Sequence, residues 1–159
     1  MKPLAKNDSS AIEKRRLRMW IRMLRTTRSV EVRLREFLRE QYDTTLPRFD
    51  VMAALYRAEG GLKMSALSKH LLVSNGNVTG IVDRLVIDGL IERRPVENDR
   101  RAVVVCLTPA GRTLFARMAD GHEELVNDLF SHMVDTDLDL LAGIFSRLKQ
   151  MDGDDDHDD

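Results

Sequence analysis

The stretch that decides the fold runs from Ser74-Asn75-Gly76-Asn77-Val78-Thr79 through Asp83-Arg84-Leu85 and Asp88-Gly89-Leu90 to Asn98-Asp99-Arg100-Arg101 and Leu107-Thr108-Pro109-Ala110-Gly111. Val78, Ile81, Val82 and Leu85 recur at helical spacing, which predicts a helix from about Asn77 to Asp88 with those residues inside. Gly89 follows as a left-handed stop. The period then changes. Leu90–Val96 and Ala102–Leu107 read as short strands, joined by Glu97-Asn98-Asp99-Arg100-Arg101 as a hairpin with a charged tip. Upstream, the turn Val73-Ser74-Asn75-Gly76 separates this helix from a short one around Ser65–Leu72 that buries Leu67 and Leu71. Two short helices, a tight turn and an immediate hairpin form the order of a winged helix-turn-helix, whose second helix enters a DNA major groove.

Downstream, Thr108 caps a further helix with Pro109 at its first position, and Leu114, Phe115, Met118, Leu125, Leu129 and Phe130 form its stripe. A last helix is expected from about Asp137 to Gln150, with Leu138, Leu141, Ile144, Phe145 and Leu148 on one side. Towards the N-terminus, Thr45 in Asp43-Thr44-Thr45-Leu46-Pro47 caps a helix in which Phe49, Met52, Leu55 and Tyr56 face inward, and Gly60-Gly61 ends it. Ser10 with Glu13 makes a capping box that starts a long helix near Ala11, running to about Tyr42 with a bend at Thr26-Thr27. So long an apolar-striped helix is more naturally shared with a partner chain. The fold class is therefore mostly α with a small β-wing.

Composition agrees. At 159 residues, 43% hydrophobic and 32% charged, the chain is too apolar for a disordered one and fits a single domain or two small lobes. It has no apolar run long enough to span a bilayer. One cysteine excludes a disulfide framework and a Cys-rich zinc site. Met1–Lys6 lacks the apolar core of a signal peptide, so a cytoplasmic protein is expected. The net charge of -1 hides an asymmetry: setting aside the six aspartates of residues 152–159 leaves 25 basic against 20 acidic side chains, about +5. That bias admits a polyanionic partner. Residues 1–9 read as a flexible N-terminus and 152–159 as an acidic disordered tail. Lys14, Arg15, Arg16, Arg18, Arg22, Arg25 and Arg28 crowd the first helix, either as a solvated flank or as a surface for phosphate or another anion.

The quoted motifs, with Leu46-Pro47-Arg48-Phe49-Asp50-Val51 and Asp88-Gly89-Leu90-Ile91-Glu92-Arg93, resemble the multiple-antibiotic-resistance-regulator (MarR) family of bacterial transcription factors over about residues 10–150. The resemblance implies a triangular homodimer. Residues 10–45 and 108–151 would form its helical dimerisation region and 46–107 the winged DNA-binding lobe. It implies a regulator, usually a repressor, released from a palindromic operator in double-stranded DNA by a small aromatic or anionic ligand. An aromatic acid or its acyl-coenzyme A thioester fits that description. The DNA-binding set would be Ser74, Asn75, Asn77, Thr79 and Arg84 with the wing residues Asp99, Arg100 and Arg101. Arg101 would enter the minor groove with Asp99 as its partner acid. Gly80 stands where many relatives carry a basic residue, which moves base readout towards Asn77, Thr79 and the wing. The ligand crevice would be lined by Trp20, Arg22, Met23, Phe49, Met52, Tyr56 and Met118. No cofactor is implied.

Other chemistry finds little footing. Cys106 alternates with Val105 along a wing strand and should be half-buried packing, and no first-helix cysteine exists for peroxide sensing. His70, His122, His132 and Glu123 lack metal-ligand spacing. No nucleophile, base and orienting group assemble, so the chain is not expected to be an enzyme. The rival readings are a winged-helix module used only for protein contacts, separable by absence of salt-dependent duplex binding, and an enzyme acting on an aromatic acyl thioester, separable by turnover.

Overall fold

A computed structural model describes residues 6–71, 75–96 and 99–149, with side chains over 10–71, 77–96 and 102–149. The order is α1 (Lys6–Tyr42), α2 (Leu46–Arg57), α3 (Met64–Leu71), α4 (Asn75–Ile87), β1 (Ile91–Val96), β2 (Asp99–Leu107), α5 (Pro109–Leu129) and α6 (Asp135–Lys149). The chain divides into two compact units, and the boundary falls within α5 between His122 and Glu123.

Three helix ends follow from local chemistry. Thr45 stands in extended conformation before α2, and its hydroxyl accepts the Arg48 N–H at 3.4 Å. Asp43 adopts φ 47, which a short polar side chain tolerates, and the chain turns there from α1 into α2. Gly89, at φ 70, ends α4 as predicted: Leu90 N–H donates to Leu85 O and Gly89 N–H to Val86 O, each at 3.0 Å.

Beyond that stop the chain interlocks with the start of α5. Thr108 N–H donates to Leu90 O at 3.1 Å. The Thr108 hydroxyl donates to Gly89 O at 2.7 Å and accepts the Gly111 N–H at 3.0 Å. Gly111 is buried so tightly here that a Cβ would lie 2.0 Å from Leu90 O.

β1 and β2 pair antiparallel from Ile91 opposite Leu107 to Pro95 opposite Val103, and Leu62 bridges Val105 on the far side of β2. That third edge is not legible in the sequence, because a single paired residue has no period. The core gathers Leu38, Phe49, Val51, Met52, Leu55, Leu67, Val78, Val82, Leu85, Ile91, Val105, Leu107, Phe115 and Met118.

Five expectations are corrected. α1 begins at Lys6, so Ser10 and Glu13 lie inside it and make no cap; serine costs little within a helix. α4 begins at Asn75, which takes Asn75 and Gly76 out of the expected turn. α6 begins at Asp135, two residues earlier than expected, because the Asp137 carboxylate reaches back to the Val134 N–H at 3.1 Å and so stands within the first turn, not at its first position. The wing loop is shorter than Glu97–Arg101. Asp99, Arg100 and Arg101 already belong to β2, and Val96 pairs with Asp99 while Pro95 pairs with Val103. Arg100, Arg101 and Ala102 are thus the extra residues of a bulge, which interrupts alternation as a loop would. Cys106 is also more fully buried than half, with Sγ 3.9 Å from Gly60 O.

Gly111→Ala is expected to destabilise the protein by about 2 kcal/mol or more, since the neighbour that must yield is backbone. A lower urea midpoint measures this; an unchanged midpoint would mean the junction is slack.

Candidate nucleic-acid interface

α4 is held by one face and open on the other. Val78, Val82 and Leu85 are fully buried, which leaves Asn77, Thr79, Gly80, Asp83 and Arg84 exposed. Its start is thereby free to approach a groove, as a recognition helix must. Gly80 makes no close packing contact, and a Cβ there would meet nothing within 4 Å. It leaves a bare patch on the exposed face.

Two ion pairs tie this helix to its neighbours. Arg93 on β1 meets Asp83 at 2.5 Å, and Arg48 on α2 meets Asp88 at 2.5 Å. Exposed pairs add little stability, but both fix where α4 lies relative to the wing and to α2. The sequence reading missed these partners, which stand 10 and 40 residues apart.

Of the predicted DNA-binding residues, Asn77, Thr79 and Arg84 share the exposed side of α4. Asn75 opens α4, and Asp99, Arg100 and Arg101 open β2, but these four side chains lie outside the described residues. Ser74 lies outside them altogether, as do the N-terminal residues 1–5 and the acidic tail.

The predicted ligand residues are spread out. Phe49, Met52 and Met118 belong to the core cluster. Tyr56 packs on Phe115 with ring centroids 4.8 Å apart, beneath the Arg112 guanidinium at 5.5 Å. On α1, Trp20 and Arg22 are exposed and Met23 is half-buried. Only Phe49 among the seven lines a cavity of about 500 Å³, where it meets Asp50, Arg57, His70 and His122. His122 stacks on Phe49 with centroids 4.8 Å apart and planes at 21°. Sequence reasoning had weighed both histidines only as metal ligands. Among the described residues no cluster of three or more His, Cys, Asp or Glu is placed to hold a metal.

Burial pushes the His122 imidazole below its ordinary value, and burial, then the charge of Glu31, pushes the Asp50 carboxyl up. Asp50 reaches solvent and lines the cavity.

A model described as the MarR family matches residues 42–102. The transcriptional regulator PecS of Dickeya dadantii is 30% identical over 112 residues, covering 69% of this chain and 68% of that protein. A MarR family transcriptional regulator from Silicibacter pomeroyi superposes with a TM-score of 0.73 at 31% identity, covering 87% of this chain and 96% of its own. The chain belongs to the MarR family. A mutant MarR from E. coli complexed with operator DNA superposes with a TM-score of 0.71 at 27% identity, covering 86% of this chain and 95% of its own. This MarR-family chain is accordingly a DNA-binding transcriptional regulator with a winged helix-turn-helix, and not an enzyme. No helix among its described residues is long and apolar enough to cross a membrane.

The two shifted groups make opposite pH predictions. His122 binds a proton more readily when unfolded, so its contribution to stability is present above pH ~6.5 and is lost as pH falls towards its lower folded value. Asp50 is the reverse: its contribution is present below its ordinary value and is lost as pH rises through the higher folded one. Asp50→Asn should therefore raise the melting temperature at pH 7, and His122→Phe should flatten the loss of stability between pH 7 and 5. Calorimetric melts across pH check both; a destabilised Asp50→Asn at pH 7 would contradict the assignment.

Proposed function

We propose that this protein is a ligand-responsive repressor that binds a palindromic operator as a homodimer in the cytoplasm. The observation that carries the reading is the exposed face of α4, with Asn77, Thr79 and Arg84 on it, on a fold that matches a relative complexed with operator DNA. Ser74, Asn75, Asn77 and Thr79 would meet the major groove near the helix start, with Arg84 further along. Asp99, Arg100 and Arg101 would bring the wing to the minor groove, Arg101 entering it. Two-fold symmetry sets the half-sites about one helical turn, roughly 10 bp, apart.

Support for a dimer comes from apolar surface. α6 has no buried residue among those described, and Leu138, Leu140, Leu141, Ile144, Phe145 and Leu148 are all exposed. On α1, Leu17 and Trp20 are more than half exposed, at 58% and 55%. So many exposed large side chains favour burial against another chain. We assign dimerisation to residues 10–45 and 108–151 and DNA binding to 46–107.

The inducer is a small aromatic anion, an aromatic acid or its acyl-coenzyme A thioester. The cavity beside Phe49 supports this, since it combines stacked rings with Arg57 and His70. Met52 and Met118 share the core cluster with Phe49, and Trp20, Arg22, Met23 and Tyr56 are the further contacts proposed on α1 and α2. The ligand acts by favouring a lobe arrangement that does not fit the operator.

Arg101→Ala should weaken operator binding by about 1–3 kcal/mol in a gel-shift titration while leaving the dimer intact. Undiminished affinity would overturn the wing assignment. In a thermal-shift screen, aromatic acids or their coenzyme A esters should raise the melting temperature. If none does so, the ligand class is wrong.

A further inference from the structure

The exposed face of α4 borders a cleft of about 460 Å³ lined by Thr45, Arg48, Asn77, Gly80, Arg84 and, at the α1–α2 turn, Asp43. Two arginines line one space. Arg84 has no ion pair among the described residues. Arg48 spends Nη2 on Asp88, but its Nε is buried without a hydrogen-bond partner. That buried nitrogen is out of an anion's reach, but a guanidinium carries five donors, so with Nη2 on Asp88 the group keeps its Nη1 donors for an anion. Thr45 uses its hydroxyl oxygen to accept from Arg48 N–H, which leaves the hydroxyl proton free to donate. Gly80 adds no side chain to obstruct the opening.

Arg84 lies seven residues beyond Asn77, two helical turns and roughly 10 Å further from the end of α4 that enters the groove. At that depth a base edge is a poor partner and a strand running along the groove wall is a good one.

We infer that this cleft is a clamp for one backbone phosphate of the operator, with Arg84 as the direct contact and Arg48 and Thr45 completing it. The inference rests on the DNA-binding reading and gives Arg84 a positioning role in place of base readout. The clamp sets the depth and register of α4 in the groove, and Asn77 and Thr79 then meet bases. Asp88 holds Arg48 in place, and Asp43 disfavours any deeper entry of the strand.

The test scans an operator duplex with single neutral methylphosphonate substitutions against the full-length wild type, Arg84→Gln and Arg48→Lys, with circular-dichroism melts as the folding check. Arg48→Lys keeps the charge beside Asp88 and removes the fork. At one substituted position the wild type should lose about tenfold in affinity, while Arg84→Gln, already weaker by a similar factor on unmodified DNA, should lose nothing more. Arg48→Lys should lose an intermediate amount at that same position. Arg84→Gln should also lower the slope of log affinity against log salt by about 1, equally for every operator sequence. Additive losses at all positions, or a loss that depends on one base pair with the salt slope unchanged, would overturn the clamp and return Arg84 to base readout. If inorganic phosphate stabilises the wild type but not Arg84→Gln with no such change on DNA, the cleft takes a free anion instead, and the inference fails. Wild type that fails to bind the unmodified operator would refute the DNA-binding reading itself, a separate result.

Discussion

The structure depends most on a single side chain, the Thr108 hydroxyl, which donates to Gly89 O while accepting from Gly111 N–H. Three elements meet at that oxygen: the end of α4, the end of β2 and the beginning of α5. Each hydrogen bond adds only about 1 kcal/mol net. Their consequence is geometric. Because Leu90 O accepts from Thr108 N–H, and Gly111 packs against Leu90 O with no room for a Cβ, the stop of the recognition helix cannot drift from the root of the wing. The ion pairs Asp83–Arg93 and Asp88–Arg48 then set the helix against β1 and α2. A rigid reading element of this kind reduces the ordering that DNA binding would otherwise require.

The remaining helices contrast with this lobe. α6 and much of α1 carry large apolar side chains that the single chain does not cover. In the proposed dimer those surfaces bury one another, and the two locked lobes are presented together. The cavity at Phe49 and His122 touches α2, α3 and α5, so a ligand there would act on the helix that precedes α4. It can shift the equilibrium only by as much as its affinity differs between the two lobe arrangements.

What the sequence revealed was local chemistry. Gly89, Thr45 and the Thr108-Pro109 cap were legible because each depends on neighbours within a few residues. The stripe Val78, Val82, Leu85 was legible because burial follows the helical period. Features joined through space were not. The Leu62–Val105 bridge, the Arg48–Asp88 pair and the stacking of His122 on Phe49 leave no mark in any window of sequence. The wing bulge was read as loop, and Asp137 was read as the first residue of its helix, because both signals mimic another motif within a residue or two. Six of the seven expected ligand residues are apolar or aromatic, a character that core and crevice have in common, and Phe49, Met52 and Met118 belong to the core cluster.

The central claim is that two copies of this chain present paired recognition helices to one duplex. Sedimentation of the protein with a duplex carrying its palindromic operator tests it most directly. Two chains per duplex are expected, with binding lost when one half-site is scrambled or when the half-site spacing is changed by half a helical turn. One chain per duplex, or equal binding to the respaced site, would contradict it.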